Sequence, residues 1–277
     1  MWLPRRQIGA LATVSDSPEL GTGGKVATAL SLTSIGGFVD AVGYIALFQI
    51  FTANMSGNSV HVGIALGELD FSDLMRPGCA VVAYVTGIVL TRIAMTVAAR
   101  HGMRRIATYT LAFEALLLLL FARATPAMKL GQIVDLHSAL YFSLVALLAF
   151  AMGVQTATLT HVGALTVYTT FVTGTLTKFS ESLTRSLFWG YDHAAQTGRG
   201  MSDVVRLAPK QKDVRDTAFL AGTWISYLAG AAMGTFSKGR WELRSLYLPV
   251  AVLIVFIVID QLRPIGVEEE KHQQGQA

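Results

Sequence analysis

Charge is scarce in this chain. Asp, Glu, Lys and Arg make up 14% of its 277 residues while hydrophobic residues make up 52%, against roughly 25% charged residues in soluble domains. The polar surface that folding in water requires is missing, and so is the low hydrophobicity of a disordered chain. Cysteine is nearly absent: Cys79 stands alone, which excludes an internal disulfide framework, and within an apolar run it reads as a packing residue. Enzyme signatures are lacking too. The chain has no His-Glu-x-x-His, no Gly-x-Ser-x-Gly, no phosphate-binding Gly-x-x-x-x-Gly-Lys and no Cys/His metal pattern. Ser56 and His61, five residues apart, fall on diverging faces of a helix, which argues against an intramembrane hydrolase. No catalytic role and no cofactor or metal are expected. The pI is near 9.3, yet the net charge is only +4. Lys and Arg sit in short clusters between apolar runs, a pattern of membrane orientation and not of nucleic-acid binding. An apolar stretch before Pro18 is also lacking, so no cleaved signal peptide is expected and the first span serves as an uncleaved signal.

What the chain does have is long apolar runs. Segments 27–48, 78–99, 106–124, 137–159, 217–236 and 245–262 each have about the 20-residue length of a bilayer crossing. Segments 51–67 and 168–188 are shorter or more polar; the first carries Asn54, Ser56, Asn58 and His61, the second Lys178, Glu181 and Arg185. Such segments are tolerated inside a protein or along a cavity, not against lipid. The expected fold is all-α: a polytopic transmembrane helical bundle over 27–262, flanked by mobile tails 1–26 and 263–277.

The two odd segments match. Phe51-Thr52-Ala53-Asn54-Met55-Ser56-Gly57 aligns with Tyr168-Thr169-Thr170-Phe171-Val172-Thr173-Gly174 at an offset of 117. Upstream, Gly37-Phe38-Val39-Asp40-Ala41 parallels Gly153-Val154-Gln155-Thr156-Ala157 at 116; downstream, Tyr84-Val85-Thr86-Gly87 parallels Tyr227-Leu228-Ala229-Gly230 at 143. The increase falls where the polar, basic loop 189–216 is inserted. The pattern predicts two related halves, about 27–124 and 137–262, each holding one broken or re-entrant segment.

Loop charges set the orientation. With the N-terminus inside, the cytosolic side holds Arg5, Arg6, Lys25, Arg100, Arg104, Arg105, five cations of 199–215, Arg263 and Lys271. That makes thirteen, against six outside: Arg76, Arg123, Lys129, Lys238, Arg240 and Arg244. The tally is the same for eight crossings as for six with two re-entrant segments. The six-crossing form is favoured, because halves of three crossings are inverted relative to one another, a common transporter design.

Several residues carry chemistry. An ionised Asp40 inside the first span costs about 2.5–3.5 kcal/mol, so it is expected to be paired, protonated or water-facing, either as a coupling group or as a cap on the segment that follows. In the repeated motif, Thr52, Ser56, Thr169, Thr170 and Thr173 offer caps, Gly57 and Gly174 allow close approach, and Asn54, Asn58 and Gln155 add amides. Two half-helix starts meeting there would suit a small anionic or zwitterionic solute. Lys178, Glu181 and Arg185 share one helix face and read as a structural charge ladder. Glu114 is expected to be protonated or paired with Arg92. His61, His137 and His161 lack metal-ligand spacing. Gly230-x-x-x-Gly234 reads as close helix contact, internal or between protomers of a homo-oligomer.

The stretches Gly37–Tyr44, Phe51–Asn58 and Thr169–Thr177 resemble the YoaK family of bacterial membrane proteins, a family of unknown function, and the likeness extends over roughly 30–262. The family usually has Gln-Asn where this chain has Gln155-Thr156. The resemblance implies an integral membrane protein and supplies no substrate. The combined expectation is a small-solute secondary transporter or permease of the bacterial inner membrane, with both termini cytosolic. Its rival is a non-transporting scaffold or sensor whose motifs serve folding alone.

Overall fold

The computed structural model describes residues 21–103, 105–124, 135–158, 161–162, 165–166, 172–197 and 201–263. These are helical apart from turns and a two-residue antiparallel pairing, His161–Val162 with Leu165–Thr166. In chain order the helices are α1 (Thr22–Ala46), α2 (Met55–Gly67), α3 (Phe71–Arg100), α4 (Ile106–Ala124), α5 (Ala139–Thr158), α6 (Val172–Thr197), α7 (Met201–Leu207), α8 (Lys212–Trp241) and α9 (Tyr247–Leu262). Among the described residues, five helical stretches are long and apolar enough to cross a bilayer. The last, Lys212–Leu262, bends through a 3₁₀ turn at Glu242–Leu246 into α8 and α9.

Local chemistry sets the helix ends. The Asp70 side chain accepts from Ser72 N and Asp73 N, both at 3.0 Å, and starts α3 seven residues before the apolar run at 78. Pro77 lies in the second turn of α3, near the helix start. α3 closes with Gly102 at φ 72, Met103 N donating to Ala98 O and Gly102 N to Ala99 O, the paired bonds of a left-handed C-cap. α1 ends the same way, with Gln49 N donating to Tyr44 O, but the left-handed position is Phe48 at φ 52. The expected loop 189–216 is mostly helix: α6 runs on to Thr197, α7 follows, and α8 starts at Lys212.

In lipid the hydrophobic effect does not pull helices together, so packing must. The two most extensive pairings, α1 with α8 and α3 with α5, are backbone-to-backbone. A Cβ on Gly230 would lie 1.9 Å from Ser34 O, and one on Gly234 2.5 Å from Phe38 O. On the other seam, a Cβ on Gly87 would lie 2.5 Å from Phe150 O. The glycine pair read from the sequence is thus an internal contact. α1 and α5 are the central helices, with 67% and 61% of their apolar windows buried against 22% for α3. Around them Leu32, Val39, Leu148, Met152 and Leu253 form the core.

These contacts orient the helices. α8 lies parallel to α1, since Gly222 meets Leu30 and Gly234 meets Phe38. α5 is antiparallel to α1: the Tyr141 hydroxyl donates to Leu47 O at 2.9 Å and the Gln155 amide to Leu32 O. The face where α1 begins is here the near face, the other the far face. α2, 13 residues or about 20 Å long, is too short to cross. Its C-terminal residues Ile64, Ala65 and Glu68 share a small cavity with Gln49 and Ile50, so α2 starts inside the bundle and returns to the far face. α6 starts beside Tyr227 and runs antiparallel to α8, with Ser182 Oγ donating to Asp213 O at 2.9 Å and Arg185 pairing with Asp213 at 3.0 Å. It therefore leads to the near face.

Candidate functional site

After α1 the chain doubles back into the bundle, and this returning segment has no helix to satisfy its amides. Asp40 does so. Its Oδ1 accepts from Thr52 N and Ala53 N, both at 2.7 Å, and from Thr52 Oγ1 at 3.3 Å. The Tyr227 hydroxyl donates to Oδ2 at 2.6 Å. The carboxylate is buried, and four donors replace the water it lacks. Asn58, also buried, holds both backbone groups of Phe51: its Oδ1 accepts from Phe51 N at 3.1 Å and its Nδ2 donates to Phe51 O at 2.7 Å. Gly57 leaves room for the Phe51 ring, which a Cβ would meet at 2.8 Å. Asp40, Thr52, Gly57 and Asn58 thus build the break from which α2 starts.

The second half of the chain has matching contacts. Gly37 lies against Tyr227 O, where a Cβ would sit at 2.1 Å, and Gly153 against Tyr84 O, at 2.3 Å. Tyr227 bonds Asp40, and the Tyr84 hydroxyl shares a 2.9 Å hydrogen bond with Thr156 Oγ1. Gly37 to Gly153 and Asp40 to Thr156 are both offsets of 116, and Tyr84 to Tyr227 is 143. Gln155, one residue earlier, is fully buried; its amide donates to Leu32 O while its Oε1 has no partner among the described residues.

Between these contacts lies a cavity of about 540 Å³. The start of α2 lines it with Ala53, Asn54, Met55 and Ser56, and the start of α6 with Val172 and Thr173. α3 gives Tyr84, Ile88 and Arg92, α5 Thr156 and Ala157, and α8 Tyr227. Tyr84 and Tyr227 stand near the midpoints of their helices, so the cavity sits at mid-bundle and extends towards the near face past Ile88 and Arg92. Ser56 Oγ donates to Asn54 Oδ1 at 2.7 Å, which leaves the Asn54 Nδ2 hydrogens without a protein partner among the described residues.

Of the residues singled out in the sequence, Asn54, Ser56 and Thr173 line this cavity, while Asp40, Thr52, Gly57 and Asn58 lie in the break beside it. Gln155 is packed behind Thr156, and Gly174 lies half-buried in the first turn of α6. Thr169 and Thr170 lie outside the described residues. The expected pairing of Glu114 with Arg92 does not form. Both Glu114 carboxyl oxygens are buried without a hydrogen-bond partner among the described residues, and Arg92 lines the cavity. Sequence reasoning missed Arg92, Tyr84, Tyr227 and Thr156 as lining residues. The two tyrosines had a signal, since they head the similar stretches Tyr84–Gly87 and Tyr227–Gly230. No group of three or more His, Cys, Asp or Glu suited to a metal occurs among the described residues.

The chain is 26% identical over 242 residues to the UPF0700 transmembrane protein YoaK of Bacillus subtilis (strain 168), covering 86% of this chain and 96% of that protein. No solved structure matches it. A family profile described as "Protein of unknown function (DUF1275)" matches residues 28–259, nearly the whole helical bundle. This chain therefore belongs to that family of membrane proteins.

Proposed function

We propose that the protein is a small-solute secondary transporter or permease, built from two related, inverted halves and working at the mid-bundle cavity. The observation that carries the reading is that one cavity is bordered by the starts of two helices that begin inside the bundle, the short α2 leading to the far face and the longer α6 to the near face. Such a site, reached by broken helices from opposite sides, is what alternating access needs. The crossed pairs Tyr227–Asp40 and Tyr84–Thr156, at the offsets of the sequence repeat, support a duplicated origin. The charge bias supports cytosolic termini in the bacterial inner membrane, with the near face inside.

The test is a thermal-shift screen of detergent-purified protein against small anions, amino acids and neutral metabolites, followed by uptake into proteoliposomes. Ligands of the native state raise its Tm by mass action. A saturable ligand that is also taken up supports the reading; absence of uptake for every ligand found would refute it. A scaffold or sensor is the rival, favoured by the full hydrogen bonding of Asp40, which ties that carboxylate to the fold. Reporter fusions placing either terminus outside would overturn the orientation.

A further inference from the structure

The wall that α3 gives to the cavity is one helix face, Tyr84, Ile88 and Arg92, at four-residue spacing. Arg92 lies about 12 Å beyond Tyr84 and as far from the helix end at Arg100. Among the described residues it is the only charged side chain lining the cavity. Other arginines have definite partners: Arg76 pairs with Asp73 at 3.4 Å, Arg185 with Asp213 at 3.0 Å, and Arg105 bonds Gln261. The Arg92 guanidinium has no ion pair and no hydrogen-bond acceptor among the described residues. Glu114 does not reach it, and Asp40 is taken up by four donors.

A half-buried cation in a membrane bundle calls for an anion. The guanidinium fork matches a carboxylate in two parallel hydrogen bonds. The Asn54 amide and the Thr173 hydroxyl offer further donors across the cavity. Met55, Ile88, Ala157 and Val172 offer an apolar surround. No carboxylate lines the cavity among the described residues, so an ammonium group would lack a counter-charge. We infer that the solute is a small organic anion, an oxyanion on an apolar body, and that Arg92 is the residue that selects it over a cation or a zwitterion. This rests on the cavity being the solute site.

The probes are sodium benzoate, benzylamine hydrochloride and phenylalanine at constant ionic strength, read by Tm and by calorimetry on the detergent-purified chain. Benzoate should stabilise the wild type in a saturable manner, benzylamine should not, and phenylalanine should bind more weakly than benzoate. R92Q should weaken benzoate by about tenfold or more and R92K by less, with the ligand-free Tm kept. If R92Q does not fold, R92K is compared alone, and equal benzoate affinity in R92K and wild type overturns the inference. So does equal benzoate affinity in R92Q and wild type, benzylamine matching benzoate, or no anion binding at all. Dihexanoylphosphatidate separates the sources: if it displaces benzoate at lower concentration in an Arg92-dependent manner, the anion is a lipid headgroup. Proteoliposome uptake keeps the two readings apart. Arg92-dependent benzoate binding without uptake sinks the transporter and keeps the anion site. Uptake of a neutral solute undiminished by R92Q, with no benzoate binding, sinks the anion site and keeps the transporter.

Discussion

Tyr227 on α8 donates its hydroxyl to Asp40 on α1 at 2.6 Å, while its own carbonyl lies against Gly37 one turn earlier on α1. One residue therefore fixes both the depth and the separation of the two helices. It also holds the carboxylate whose other oxygen caps the returning segment. Removing the hydroxyl in Tyr227→Phe is expected to cost about 1.5–3 kcal/mol, since it bonds a charged group. Tyr84→Phe, which loses a bond between neutral groups, is expected to cost about 0.5–1.5 kcal/mol. Unfolding in detergent reads the difference, and a double-mutant cycle of Tyr227→Phe with Asp40→Asn should be clearly non-additive. Additive losses would show that the contact is not energetically coupled.

Asn58→Ala strands both backbone groups of Phe51, and Asn58→Asp keeps an acceptor for Phe51 N but loses the donor to Phe51 O. Each orphaned buried group costs about 1–3 kcal/mol. Asn58→Ala should thus lower Tm strongly. An unchanged Tm would mean that the break is held elsewhere.

Glycine substitutions should divide by what lies opposite. Gly230→Ala or Gly153→Ala drives a methyl into backbone and should destabilise or misassemble the bundle. Gly63→Ala, in α2 with nothing within 4 Å, should be neutral or raise stability by up to about 1 kcal/mol. Size-exclusion profiles and Tm values check both, and the opposite order would contradict the packing.

Glu114 is fully buried in α4 and both its oxygens lack a hydrogen-bond partner among the described residues. A buried polar group without a partner is a burden on the fold, so Glu114→Met, of similar volume, should raise Tm. A lower Tm together with lost uptake would give the carboxyl a task in the working cycle.

The membrane class, the transverse segments and the two odd segments were legible, because apolar length and Thr/Ser-Gly punctuation are local properties. That Asn54, Ser56 and Thr173 stand together, along one cavity, was legible for the same reason. Arg92 was not: its meaning depends on what fails to stand opposite it, and although α3 and α4 touch, the Glu114 carboxyl and the Arg92 guanidinium do not meet among the described residues. Tyr84 and Tyr227 were visible as the heads of two similar stretches, but a phenol reaching across to another helix is a tertiary fact. The length of α6 was missed because its polar continuation beyond residue 188 looked like a loop, whereas the contacts that hold α6 on α8 are made earlier, by Ser182, Arg185 and Ser186.

The seam between α1 and α8 also bears on time. Asp40 and Tyr227 are 187 residues apart along the chain. At synthesis rates of about 5–20 residues per second, the ribosome needs on the order of ten to forty seconds to bring the second after the first. During that interval α1 lies in the bilayer with its glycine face open and one carboxylate oxygen unmatched. A nascent chain in this state is the form most exposed to membrane quality control, and variants at Tyr227 should reduce the amount of protein made before they alter what it does.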